Sequence, residues 1–326
     1  MKIVVDAMGG DYAPENVIAG SIDALKEFQV AIALAGPQDH LAAELKKYSY
    51  PPHMVEVIHA PEVVAMHDPA VSAIRQKRNS SITVGLEFLK KGGYDAFISA
   101  GNTGAVVAAS TIVLGMIPGV DRPGIGCVIP SLKGFNLMID MGANMAAKPE
   151  HLLQYAKMAK VYVQEVIGRA NPKVGLLNIG EEECKGTDFV KEAHKLLEEK
   201  EPAFIGNLEA NEIYMGKADC IVCDGYAGNV ALKVSEGLME AVAILMKREI
   251  SKNPVAIFAA LLLKTTLSDA RKAADYSEYG GAPLLGVNGL VIIGHGRSSP
   301  KAIKNAIRVA KREVEHNVLA KIKGVL

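Results

Sequence analysis

The stretch Ala218-Asp-Cys-Ile-Val-Cys-Asp-Gly-Tyr-Ala-Gly-Asn-Val-Ala-Leu-Lys233 constrains the fold more than any other in the chain. Residues 220–223 are a short apolar run of strand length, 224–228 a glycine-rich turn, and helical spacing begins at Asn229. In that order they place the loop at the carboxyl end of a strand. Parallel sheets hold ligands there, because free N–H groups and the helix dipole converge on that point. Asp224, Asn229 and Lys233 then surround one crevice. Taken singly, the same residues serve as a helix cap and a turn closer. Repetition weighs against the plainer reading. Strands at 1–6, 95–99, 136–140, 173–178 and 287–293 also end in polar or glycine-rich loops, at 6–11, 99–104, 140–144, 178–187 and 294–299. All six are expected on one rim.

The remaining elements fit the same plan. Helices are expected over 16–28, 39–47, 71 or 80 to 91, 106–115, 148–168, 187–200, 230–250, 254–274 and 301–321, and further strands at 30–35, 55–59 and 126–130, with 203–205 at an edge. The strands at 126–130 and 136–140 are joined by Ser131-Leu-Lys133-Gly134, a tight turn that mixes strand directions. Alternation of strand and helix throughout predicts an α/β fold, a mostly parallel Rossmann-like sheet with helices on both faces. The whole of 1–326 reads as one catalytic domain, with 230–274 a helical hairpin extending from it.

Composition narrows the function. Lys plus Arg equals Asp plus Glu at 36 each, so no global field marks a nucleic-acid binder, and the absence of Trp argues against base-stacking platforms. The Cys220/Cys223 pair lies inside an apolar strand, which suits buried thiols better than a redox or zinc site. The chain opens on a strand with no charged leader before it, from which cytoplasmic residence is expected. The loops lack G-x-G-x-x-G opening the first helix, G-x-x-x-x-G-K-[ST], G-x-S-x-G and any His/Cys set at metal-ligand spacing. A dinucleotide, an NTP, a serine nucleophile and a metal are therefore not indicated. Glycine loops at helix starts do suit a phosphate and a developing oxyanion. Phosphate itself is then a candidate nucleophile, for which the protein need only supply position and charge stabilisation.

The blocks Asp6-Ala-Met-Gly-Gly-Asp11, Ser99-Ala-Gly-Asn-Thr-Gly104, Asp140-Met-Gly-Ala-Asn144, Asn178-Ile-Gly-Glu-Glu182, Cys223-Asp-Gly-Tyr-Ala-Gly-Asn229 and Glu278-Tyr-Gly-Gly-Ala-Pro-Leu-Leu-Gly286 resemble those of the bacterial phosphate acyltransferases of phospholipid synthesis, the PlsX family. More remotely, 95–103 and 227–233 are similar to blocks of phosphate acetyltransferases. The resemblance implies an architecture akin to isocitrate and isopropylmalate dehydrogenases. It implies formation of acyl phosphate from acyl carrier protein thioester and inorganic phosphate, with no metal or organic cofactor. It also implies a homodimer, loose attachment to the membrane surface through 254–266, and delivery of product to a membrane acylphosphate:glycerol-3-phosphate acyltransferase. Alternatives are a phosphate acetyltransferase using acetyl-CoA, an NAD-dependent decarboxylating dehydrogenase, and a non-catalytic membrane-surface scaffold.

Within that resemblance Lys185 is expected to bind phosphate and offset charge in the tetrahedral state; a solvated loop lysine is the plainer role. Asn229 is expected to donate to the oxyanion or else to cap a helix. Asp224 accepts a proton, orients Lys185, or caps. Gly9, Gly10, Gly101, Asn102, Thr103, Gly104, Asn144 and Gly228 are expected to line the pocket, with Lys233 and Arg297 as anion contacts. Asp6 and Asp11 order their loops, since ionised carboxylates repel phosphate. Lys301, Lys304, Arg308, Lys311 and Arg312 form a basic stripe that either receives the acidic carrier protein or is simply solvated. The run 255–263 is too short to span a bilayer and is either a dimer helix or an interfacial anchor.

Overall fold

The computed structural model describes residues 1–266 and 280–326. The last part of the expected helix 254–274, and Glu278 and Tyr279 of the block 278–286, lie outside the described residues. Among these, β1 Lys2–Asp6, β2 Ala31–Gly36, β3 Val55–His59, β4 Ala96–Ser99, β5 Gly124–Ser131, β6 Gly134–Ile139, β7 Val174–Asn178, β8 Phe204–Glu209, β9 Cys220–Val222, β10 Ala282–Leu285 and β11 Val291–Ile293 form one sheet. Its order is β3-β2-β1-β4-β11-β10-β5-β6-β9-β7-β8. Pairings are parallel except β11–β10, β10–β5 and β5–β6.

Strand residues alternate between faces, and each face is apolar, so helices cover both. Val4, Phe97, Met138 and Ile221 share one continuous core with α4 Ser81–Lys91, α5 Thr103–Val113 and the start of α8 Gly225–Ser251. On the opposite face, Ile3, Val5 and Ile98 pack against α1 Glu15–Phe28 and α10 Pro300–Glu315. Leu137, Ile139 and Val222 pack against α6 Pro149–Tyr162 and α7 Asp188–Lys200 on that same opposite side. The short helices are α2 Gln38–Leu45, α3 Ala70–Gln76, α9 Pro254–Leu262 and α11 Val318–Lys323.

Strand direction corrects the expectation of a single rim. Because β10 is antiparallel to both β11 and β5, strand β5 runs with β1, β4 and β11. The hairpin to β6, closed at Ser131↔Gly134, then reverses the chain, and β9, β7 and β8 follow β6. Loops after β1, β4 and β11 thus leave one edge of the sheet, and loops after β6, β9 and β7 leave the other.

Local differences have local causes. The helix expected from 71 or 80 to 91 is two helices, α3 and α4, because Ser80 breaks away to cap α4, accepting the Thr83 N–H at 3.3 Å. Helix 148–168 is α6 followed by one π turn, Val163–Ile167, ending at Gly168 in a left-handed conformation (φ 86°). The strand expected over 287–293 is only Val291–Ile293, and Ala282–Leu285 adds a strand. Gly225–Gly228, expected as a turn, is already helix. A side chain at Gly225 would stand 2.7 Å from the Asn144 carbonyl oxygen, and one at Gly228 would overlap that of Asp140. The glycines let the helix start directly against that loop.

Candidate active site

At the first edge, Asp6 is buried at the end of β1 and accepts the Ser99 hydroxyl at 2.6 Å and the Met8 N–H at 3.1 Å. Burial pushes its carboxyl above the usual range; hydrogen bonds from Ser81, Ser99, Met8 and Gly9 oppose this. The loops it organises touch one another. A Cβ at Gly9 would lie 2.7 Å from the Gly101 nitrogen, and one at Gly10 3.0 Å from the Gly296 carbonyl, beside Arg297. Asn102 caps α5, its Oδ1 accepting from Ala105 at 3.0 Å, while its Nδ2 donates to the Met66 and Asp68 carbonyls, both at 3.0 Å. Thr103 and Gly104 are exposed, and their N–H groups have no hydrogen-bond partner among the described residues. Unpaired N–H groups at a helix start are donors of the kind that hold anions.

At the second edge Asp140, fully buried, accepts four N–H groups: Ile125 at 2.9 Å, Gly142 at 3.0 Å and Ala143 at 2.9 Å on Oδ1, Asn144 at 2.6 Å on Oδ2. Burial raises its proton affinity against those bonds. The Asn144 side chain donates to His151 Nδ1 at 3.1 Å and reaches the Tyr155 hydroxyl at 3.4 Å. His151 Nδ1 also takes the Lys148 N–H at 3.0 Å, and burial holds the ring below its ordinary value. Asp224 is the N-cap of α8, its Oδ1 accepting from Tyr226 at 2.9 Å and Ala227 at 3.0 Å. Strands β7 and β9 pair in parallel, so the loop carrying Lys185 leaves the sheet beside the start of α8. Lys185 is exposed, and its ammonium has no hydrogen-bond or ion-pair partner among the described residues.

Helix α8 joins the two edges. Asn229, Lys233 and Glu236 stand at i, i+4 and i+7, one face of the helix. Asn229 lies over Gly142, where a Cβ would be 3.6 Å from its own, and its amide has no hydrogen-bond partner among the described residues. Lys233 pairs with Glu236 at 2.8 Å. Both act on His295 at the end of β11: burial pushes its imidazole below the ordinary value, Lys233 and Arg297 push the same way, and Glu236 and Asp11 pull it up. His295 Nδ1 accepts the Arg297 N–H at 3.2 Å, so the neutral ring carries its proton on Nε2. With α5 against β11 and α8 against β6, strands β10 and β5 lie between the two helices, and the space over them is the candidate crevice. Cys127 of β5 lies near Glu236, and burial pushes its thiol up to about 12. It is a packing group, not a nucleophile.

The structure thus gathers Gly9, Gly10, Gly101, Asn102, Thr103, Gly104 and Arg297 on one wall, and Asn144, Asp224, Gly228, Asn229 and Lys233 on the other. Lys185 stands at the outer margin of the second. Sequence reasoning missed Glu236 and the Asn144–His151–Tyr155 network. The spacing Asn229-x3-Lys233-x2-Glu236 was the only signal for the former, and nothing local signalled the latter. In the basic stripe, Lys304 is bonded to Glu27 at 2.8 Å and Lys311 to Glu315, so much of its charge is answered.

The architecture is that of the phosphotransacetylases. It superposes on a phosphotransacetylase from Streptococcus pyogenes with a TM-score of 0.65 at 15% identity, covering 97% of this chain and 94% of that one. A phosphotransacetylase (EutD) from Staphylococcus aureus gives 0.60 at 16%, covering 96% and 94%. At such identities the likeness establishes the fold alone. In sequence, the family described as "Fatty acid synthesis protein" matches residues 1–321. The phosphate acyltransferase of Alkaliphilus oremlandii is 48% identical over 99% of this chain and 96% of its own, and that of Heliobacterium modesticaldum 47% over 99% and 96%. The chain belongs to this family, the phosphate acyltransferases.

Proposed function

We propose that the protein transfers a long-chain fatty acyl group from acyl carrier protein to inorganic phosphate, giving acyl phosphate for phospholipid synthesis. The observation that carries the reading is the crevice. It offers free N–H donors at the start of α5, flanking cations and an unengaged amide, in a chain matching phosphate acyltransferases over nearly its whole length. Phosphate sits on the Thr103 and Gly104 N–H groups with Arg297 and Lys233 beside it. One phosphate oxygen attacks the thioester carbonyl carbon, the C–O bond forms, the C–S bond breaks, and the carrier thiolate leaves with the phosphate proton. Asn229 donates to the oxyanion of the tetrahedral state, and Lys185 offsets its charge from the neighbouring loop. Holding both reactants in one crevice supplies most of the acceleration such a reaction needs.

The exposed apolar residues Val234, Leu238, Val242 and Leu245 on α8 fit a second copy of the chain, and Val255, Phe258, Leu261 and Leu262 on α9 fit a lipid surface. Among the described residues no helix is long and apolar enough to cross a membrane. Product released there is within reach of a membrane-bound glycerol-3-phosphate acyltransferase.

The test is acyl phosphate formation trapped with hydroxylamine, from long-chain acyl carrier protein plus phosphate beside acetyl-CoA plus phosphate. Product from the carrier thioester is expected. Product from acetyl-CoA alone moves the protein to the acetyltransferase reading, and no product from either leaves the scaffold or the dehydrogenase.

A further inference from the structure

The structure assigns a divalent metal site, outside the crevice, to Glu183, His194 and Glu198. One ligand atom from each of the three lies within 4.8 Å of the others. His194 and Glu198 stand at i and i+4 on α7, one face of a helix, and Glu183 comes from the loop that carries Lys185. They border an open depression of about 400 Å³ at the end of the β7–β8 layer.

The histidine is the decisive member. It is only 6% exposed, and its ring is held edge-on to Phe204 at 5.1 Å. Its Nδ1 is 2.9 Å from Asn207 Oδ1. The Asn207 amide cannot be reversed, because its Nδ2 donates to the Glu182 carbonyl at 3.0 Å and the Glu181 carbonyl at 3.4 Å. Its oxygen therefore faces the ring and Nδ1 carries a proton, so in the neutral tautomer the lone pair is on Nε2. Nε2 has no partner among the described residues. A neutral imidazole with its second nitrogen oriented by an amide oxygen is the arrangement metal-binding histidines adopt.

The two carboxylates make the same point. Glu181 is answered by Lys217 and Glu201 by Lys160. Glu183 and Glu198 have no cation and no hydrogen bond among the described residues. An imidazole and two carboxylates with ligand atoms within 4.8 Å of one another, the carboxylates unpaired, describe a cation site. One imidazole nitrogen with two carboxylate oxygens suits a first-row ion such as Zn²⁺ or Mn²⁺ better than Mg²⁺ or Ca²⁺. The sequence concealed the site because its ligands are a helical His-x3-Glu and a loop glutamate, neither a His/Cys motif. Occupancy ties the loop 179–186 to α7 and so fixes the setting of Lys185; metal binding itself does not depend on the acyl-transfer reading.

The test is calorimetric titration of the full chain, stripped with chelator and exchanged into metal-free buffer, with Zn²⁺ and separately Mn²⁺. Wild-type protein is expected to take up one equivalent. Glu198→Gln and Glu183→Gln, both at exposed positions, are expected to weaken binding at least 10-fold while the metal-free variants keep the wild-type melting temperature. Cys184→Ser controls for the exposed neighbouring thiol and is expected to bind as wild type. No saturable uptake by wild type overturns the site. So does uptake that survives both glutamate substitutions, or uptake abolished by Cys184→Ser alone.

Discussion

The two edges of the sheet solve one problem in different ways. Each begins with a buried aspartate at a strand end, Asp6 the last residue of β1 and Asp140 the first after β6, and burial raises the proton affinity of both. Asp6 is held largely by hydroxyls, above all Ser99 at 2.6 Å, and its loop meets others through adjacent glycine backbone. Asp140 is held by four backbone N–H groups, and a helix is pressed directly onto its loop. Hydroxyls rotate and peptide N–H groups do not. The first edge therefore keeps adjustable contacts around an open helix start, while the second is a rigid seat that sets where Asn229 and Lys233 stand.

The largest effect comes from that seat. Gly228→Ala forces a methyl into the Asp140 carbonyl, a backbone clash that no rotamer relieves. A loss of about 5 kcal/mol or more is expected, read as failure to recover folded protein or a collapse of the urea midpoint. Wild-type stability in this variant would dissolve the distinction between the edges.

Next comes the seam between the halves, where Glu313 of α10 meets Tyr162 of α6. Glu313 is 1% exposed, its Oε1 has no hydrogen-bond partner among the described residues, and burial pushes its carboxyl up to about 8 from 4.5. Between those values the native state holds a proton that the unfolded state has released, so stability falls as pH rises, by up to about 1.4 kcal/mol per pH unit. Below 4.5 both states are protonated and the penalty vanishes; above 8 it is complete. Glu313→Gln removes it. The variant is expected to melt well above wild type at pH 9 and close to it at pH 4.5, and equal offsets at both would remove Glu313 from the account.

In the crevice, Asn229→Ala is expected to lower kcat by about 10²–10³, roughly 3–4 kcal/mol, with little change in KM for phosphate. Arg297→Ala on the opposite wall should raise that KM. If the two variants exchange signatures, the walls have been assigned the wrong way round.

Much of this was legible in the chain. Apolar runs ending in glycine loops gave the α/β class and nearly every strand, and Asp224 was readable as a cap, although the helix it caps was expected to begin only at Asn229. The single rim was a misreading: the hairpin at Ser131–Gly134 was expected, but its consequence, that β6, β9, β7 and β8 run against β1, β4 and β11, leaves no trace in the periodicity of those strands. Nor was β10, whose Ala-Pro-Leu-Leu run sits among glycines and finds its partners β11 and β5 only through the folded sheet. His295 was visible as a rim residue, but its neighbours Lys233 and Glu236 reach it through tertiary packing of α8 alone. The network from Asn144 to Tyr155 likewise joins a loop to a helix face by contacts that no local pattern encodes.

The smallest effects discriminate most finely, and they concern the two aspartates themselves. Replacing Asp140 with Asn keeps the shape but leaves one oxygen for the three donors now on Oδ1 and turns an NH₂ toward the Asn144 N–H, now 2.6 Å from Oδ2. Two donors facing one another cannot be reconciled by rotation, so a loss of about 1–3 kcal/mol is expected even though a buried charge is removed. At Asp6 the same change turns the NH₂ toward the Ser99 hydroxyl, which rotates to accept, while the oxygen keeps the Met8 N–H. Stability there should stay within about 1 kcal/mol of wild type. Urea unfolding of the pair at pH 7.5 reads the difference directly. A larger loss at Asp6 than at Asp140 would mean that hydroxyl rotation does not give the first edge its tolerance, and that the open start of α5 is held as rigidly as the seat beneath α8.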